Sequence, residues 1–280
     1  MKTIAQALAL ARAAGIDRLD ATLLLGHVMQ RPRAWLIAHD EHLLGPGERD
    51  RFEQACAARA DGVPVAYLLG HREFHGLDLA VGPGVLVPRP DTETLVDWAL
   101  ALLGTGGALA DRATPRVLDL GTGSGAIALA VKQALPRARV CASDMNERPL
   151  AQVRANAGRL GLDVTVFEGS WWSALPAGEP PFDLLLSNPP YIAPGDPHLA
   201  ALRHEPMEAL VAADQGLADL RAIVEGAPAH LTPGGWLLLE HGFDQCDAVA
   251  ALLSGAGFVD VGHRADLAGH TRCTGGRRVA

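Results

Sequence analysis

Along roughly the first seventy positions, apolar residues return at the spacing of helices. Ile4, Leu8, Ala11 and Ile16 fall near a 3.6-residue period, and Leu19, Leu23, Leu24, His27 and Val28 mark a second face. Pro32 opens a third helix through Trp35, Leu36 and Ile37. Gly45-Pro46-Gly47 breaks the pattern, and residues 48–60 read as a fourth helix. Short helices with short joints predict a small helical bundle over residues 1–72, either a structural cap or a docking module for a macromolecule.

The period then changes. Phe74, Leu77, Leu79 and Val81 lie among Gly and polar residues, Gly82-Pro83-Gly84 turns the chain, and Val85-Leu86-Val87 follows. That pattern predicts a β-hairpin linker over 73–88. Pro88-Arg89-Pro90-Asp91-Thr92-Glu93 prepares a helix with Asp91 or Thr92 near its N-cap, and Leu95, Val96, Trp98, Leu100 and Leu103 give its apolar side. Beyond Arg116, strand patterns at 117–120, 138–143, 164–167, 182–187, 236–240 and 258–262 alternate with helical ones, and the tail at 273–279 adds a last edge strand. Such alternation predicts an α/β domain over 89–280: a doubly wound, mostly parallel sheet of seven strands with helices on both faces. The irregular stretch 192–216 exceeds ordinary loop length and points to function.

Within that frame the run Leu184-Leu185-Leu186-Ser187 ends in Asn188-Pro189-Pro190-Tyr191. Neither proline can donate to a ladder, and Pro189 keeps Asn188 out of helical geometry, so the strand must stop at Ser187. Ligands of open α/β sheets bind at the carboxyl ends of the strands. A carboxamide and an aromatic ring on a stiff turn there suit a small planar group. Glu240-His241, Asp183 and His198 are tempting acid–base groups but read as structural.

Asp119-Leu120-Gly121-Thr122-Gly123-Ser124-Gly125 stands between the first strand of the alternating region and its helix. The glycines let backbone approach a ligand, but the spacing G-x-G-x-G is not the dinucleotide fingerprint. Asp119 just before it repels a pyrophosphate and suits a cationic ligand, such as the ammonium and sulfonium of S-adenosylmethionine. Asp144 ends the next strand 19 positions after Gly125, where an acid accepts hydrogen bonds from ribose hydroxyls. Gly169-Ser170-Trp171-Trp172 follows the third strand, and Trp171 is placed to stack on adenine.

Composition narrows the field. The net charge of −8 counts against a duplex-DNA substrate. No run of about 18 apolar residues is present, so no membrane span is expected. Cys56, Cys141, Cys246 and Cys273 are scattered with no CxxC pair, which argues against a metal site or a disulfide framework and fits a reducing cytoplasm. No signal peptide is evident.

The order GTGSG, Asp144, NPPY resembles class I S-adenosylmethionine-dependent methyltransferases acting on nitrogen. Phe74-His75-Gly76-Leu77, the stretch from Leu86 to Glu93, and Glu205-Pro206 with Ala209-Leu210 and Gly216-Leu217 narrow the likeness. Together they are similar to the protein-glutamine N5-methyltransferases that modify peptide chain release factors, the PrmC/HemK type. Family members more often carry valine before the threonine where this chain reads Thr271-Arg272-Cys273-Thr274, and an acid or its amide is common where it has Gln215.

The resemblance implies a Rossmann-like methyltransferase fold with S-adenosyl-L-methionine as cofactor and no metal. The cofactor set is Asp119, Gly121, Thr122, Gly123, Ser124, Gly125, Asp144, Trp171 and Asn188. Asn188, Pro189, Pro190 and Tyr191 meet the substrate, with Asn188, Pro189 and Tyr191 catalytic. The implied acceptor is the glutamine of the Gly-Gly-Gln motif of class I release factors, met by a monomer without direct contact to nucleic acid or membrane. Alternatives are a glutamine of a ribosomal protein, an adenine-N6 DNA methyltransferase, and a cofactor-binding module without catalysis.

Overall fold

The computed structural model describes residues 2–279. The chain divides into two compact units, residues up to 71 with 200–204, and residues 72–199 with 205–280.

The first unit holds α1 (Ile4–Ala13), α2 (Arg18–Met29), α3 (Arg33–Ala38), α4 (Pro46–Ala60) and α5 (Val65–Leu69). Thr3 and Gln6 form a reciprocal capping box at the start of α1, and Asp17 caps α2 by accepting from Leu19 N at 2.7 Å. The apolar faces meet in a core of Ile4, Leu24, Leu25, Leu36 and Phe52.

At the start of the second unit stands a two-stranded hairpin, β1 (His71–Phe74), whose first residue still belongs to the first unit, and β2 (Leu77–Ala80). Its turn is His75-Gly76, with φ of 48° and 76°, not the expected Gly82-Pro83-Gly84. Two consecutive positive φ values make the primed turn that suits tight hairpins. Glu93 holds it by accepting from His75 N at 3.0 Å. Residues 85–87 form no strand, because Val87 N donates at 3.1 Å to the carboxylate of Glu205 instead of to a ladder.

The main sheet comprises β3 (Arg116–Leu120), β4 (Arg139–Asp144), β5 (Thr165–Glu168), β6 (Phe182–Ser187), β7 (Leu231–Glu240), β8 (Phe258–Ala265) and β9 (Thr271–Arg278). Their spatial order is β5-β4-β3-β6-β7-β9-β8. Five strands run parallel, and β9 lies antiparallel between β7 and β8. The tail is therefore an interior strand, not the expected edge; β8 takes the edge. The helices are α6 (Glu93–Leu103), α7 (Ala126–Ala134), α8 (Glu147–Leu160), the short turn α9 (Ala213–Gly216), α10 (Ala218–His230) and α11 (Cys246–Gly255). They enclose two apolar layers, one around Leu95, Val117, Leu129 and Leu184, the other around Leu118, Leu185, Ile223 and Leu237. Among the described residues no helix is long and apolar enough to cross a membrane.

Candidate active site

β3 and β6 are parallel neighbours, with Leu120 opposite Ser187. The strand order reverses between them, which opens a crevice at their carboxyl ends. Ser187 Oγ donates to Leu120 O at 2.7 Å and ties the two strand ends together. A cavity of about 300 Å³ opens there, walled by the glycine loop, Asp144, Trp171, Asn188 and residues of the 86–92 and 206–209 stretches.

The glycine loop is shaped by its residues and by one acid beneath it. Gly121, Gly123 and Gly125 all have positive φ, and a Cβ on Gly125 would press on Leu129 and Val153 at 3.0 and 3.1 Å. As the N-cap of α7, Gly125 has no side chain to offer the first turn. Asp119 supplies that cap from β3: its Oδ2 accepts from Thr122 Oγ1 at 2.6 Å and from Ala128 N at 3.2 Å. The carboxyl is fully buried, and burial pushes its pKa up to about 7. Asp119 is absent from the cavity wall, so the expected direct contact with a cationic ligand gives way to bracing of the loop.

Asp144 does reach the wall. Its Oδ2 accepts from Gly123 N at 3.1 Å and its Oδ1 from Asn146 N at 3.0 Å, which leaves lone pairs on both oxygens. Burial raises its pKa, partly offset by those N–H groups. Trp171 sits at a φ of 45°, anchored by Nε1 donating to Asp219 Oδ1 at 3.1 Å. Its six-membered ring lies about 3.2 Å from where a Cβ of Gly121 would stand.

The turn after β6 divides its residues. Asn188 and Pro190 line the cavity; Pro189 and Tyr191 do not. Asn188 Nδ2 donates to Thr92 Oγ1 at 3.1 Å. Tyr191 packs against the apolar layer around Leu237 and directs its hydroxyl at Glu240 Oε1, 3.4 Å away. Burial, then the neighbouring Glu240, push that hydroxyl well above the usual tyrosine range, so it stays protonated. Tyr191 O accepts from Gln245 Nε2 at 3.0 Å. Its ring thus braces the turn; the expected packing on a substrate amide has no counterpart in the cavity wall.

Several residues of the site escaped the sequence reading. Asn156 is fully buried and joins Ala80 O, Ala80 N and Ser124 O, linking hairpin, α8 and glycine loop. Its signal was a polar residue on the apolar face of α8, among Leu150, Val153 and Ala157. Glu205 is buried and pairs with Arg89 at 2.5 Å. Glu208 and Asp219 join Asp144 in the wall, against the single, already paired Arg89. The net potential is negative, which favours a cationic ligand.

Residues 93–242 match the methyltransferase small domain family, and residues 2–70 the PrmC N-terminal domain. A release factor glutamine methyltransferase of Bordetella pertussis is 50% identical over 264 residues, covering 94% of this chain and 95% of that protein. The corresponding protein of Burkholderia pseudomallei is 46% identical, covering 98% and 96%. The chain belongs to the release factor glutamine methyltransferase family. Among solved structures, a Thermus thermophilus 16S rRNA N2 G1207 methyltransferase in complex with AdoMet and guanosine has a TM-score of 0.54. It is 21% identical, and the match covers 74% of this chain and 49% of that one. That likeness concerns the fold alone. In this chain Gly121 to Ser124, Asp144, Trp171, Asn188 and Pro190 thus come together around one cavity, while the expected site residues Asp119, Gly125, Pro189 and Tyr191 lie outside its wall.

Proposed function

We propose that the cavity holds S-adenosylmethionine and that the chain methylates the N5 nitrogen of the glutamine in the Gly-Gly-Gln motif of class I release factors. The observation that carries this is the position of Asn188, in the same wall as the glycine loop and Asp144. The surroundings fit the donor: a negative wall for its cationic part, free lone pairs on Asp144 for ribose hydroxyls, and the Trp171 ring for adenine. When bound, the donor supplies a methyl group made electrophilic by a positively charged sulfur.

A glutamine amide nitrogen is a poor nucleophile, because its lone pair is shared with the carbonyl. No side chain in the wall is basic enough to deprotonate it, so the chain's contribution is geometric. Asn188 Oδ1 accepts one N–H of the substrate amide, and we assign the second to the Pro189 carbonyl. Acceptors placed out of the amide plane favour a pyramidal nitrogen with a directed lone pair, an interaction that strengthens toward the transition state. Holding the two reactants in line contributes about 7–11 kcal/mol in well-aligned systems. Pro190 stiffens the turn. The proton lost by the product leaves to solvent afterwards.

The helical unit, with Leu10, Leu19, Leu23 and Ile37 exposed, is assigned to docking the protein substrate. We place the reaction in the cytoplasm, performed by a monomer without direct nucleic-acid contact. Radiolabelled donor offered with purified release factor, ribosomal proteins and DNA tests the assignment. Label is expected in release factor and is expected to vanish when its Gly-Gly-Gln glutamine is replaced. Label in DNA or in ribosomal protein alone overturns the substrate. Asn188→Ala should retain donor binding and lose nearly all transfer; near wild-type turnover would remove Asn188 from the chemistry.

A further inference from the structure

Thr92 stands where the 3-10 turn Pro90–Thr92 runs into α6, in helical backbone geometry, and its hydroxyl makes no capping bond. The residue is 4% exposed, stands in the cavity wall, and accepts from Asn188 Nδ2 at 3.1 Å. Thr92 also neighbours the buried Glu240 carboxyl, whose pKa it lowers against the effect of burial.

The sheet explains why Glu240 is there. Leu239 pairs with Ser187 in the parallel ladder of β6 and β7, so the next residues, Glu240 and Asn188, emerge side by side. Glu240 is 1% exposed; its Oε1 takes the Tyr191 hydroxyl, and its Oε2 has no hydrogen-bond partner among the described residues.

A carboxamide is nearly symmetric in shape, so flipping it exchanges oxygen and nitrogen at little steric cost. Only one orientation presents an acceptor to a substrate N–H. The geometry points to Thr92 as a positioning residue of the transfer reaction: it takes the Asn188 nitrogen and thereby leaves the Asn188 oxygen free for the substrate amide. This rests on the role given to Asn188 above. It adds a residue that sets the polarity of the carboxamide.

Thr92→Val keeps the shape and removes the acceptor. Its single-turnover rate is expected to fall roughly 10- to 100-fold, the scale of a misoriented catalytic group, with the donor Kd changed less than about threefold. Thr92→Ser should recover most of the lost rate. In an Asn188→Ala background, read on the residual rate, Thr92→Val should cost less than about twofold more, because the interaction is already gone. Should Thr92→Val fail to fold, Thr92→Cys, a far weaker acceptor, is read in the same way. Full activity in Thr92→Val, or an equal loss in both backgrounds, overturns the assignment. A wild-type rate in Asn188→Ala instead sinks the role of Asn188 itself, so the two failures are told apart.

Discussion

Two aspartates at the ends of neighbouring strands, Asp119 and Asp144, do different work because of one difference in exposure. Asp119 is sealed beneath the loop and caps α7, whereas Asp144 keeps lone pairs toward the cavity. Sequence spacing singled out both acids as expected cofactor contacts. It could not tell the lining acid from the bracing one, since that depends on which backbone N–H groups lack partners after folding. Asp144→Ala is expected to raise the donor's Kd about tenfold, as measured by titration calorimetry, through loss of a charged hydrogen-bond acceptor. An unchanged Kd would take Asp144 out of the binding set. Glu240 shows the opposite limit. Its identity as an acid at a strand end was plain, but its hydrogen-bond partner lies at position 191, and nothing local in the sequence joins them.

Among the elements, the strand ending at Ser187 was the most legible, because two prolines dictate its stop wherever the chain goes. The hairpin was legible in kind but not in register. Its turn falls at His75-Gly76 because Glu93 pays for the strained histidine from a distant helix, and 85–87 stays irregular because Glu205 takes its N–H. The turn after Tyr191 likewise depends on a remote contact. Asp214, Gln215 and Gly216 are successively left-handed, and a Cβ on Gly216 would fall 2.1 Å from Tyr191 O. Gly216→Ala should therefore displace the Asn188–Tyr191 turn. The expected loss is on the order of 2 kcal/mol in chemical denaturation, together with a lower transfer rate. Full stability and rate would show that the loop yields without disturbing the turn.

Over the whole molecule, burying acids has a consequence for stability against pH. Glu240 has its pKa raised to about 7, chiefly by burial. The folded chain therefore keeps a proton that the unfolded chain releases at lower pH, and stability declines as pH rises from about 4 to about 7. Glu240→Gln, permanently neutral, should not show this decline. Urea melts of the two proteins should diverge in the variant's favour by roughly 2–3 kcal/mol between pH 5 and 8. Parallel curves would mean that Glu240 titrates alike in both states. Asp119 is unchanged in the pair, so its own contribution cancels.

The cavity wall draws on seven separate stretches of the second unit, from Gly84 to Asp219. Its central strand, β6, is flanked by one strand made about sixty-five residues earlier and another made about fifty later. Contacts of such long sequence separation form late in folding. A half-folded intermediate thus has neither a seat for the methyl donor nor a grip on a glutamine. The cavity is complete only once strands far apart in the chain have paired.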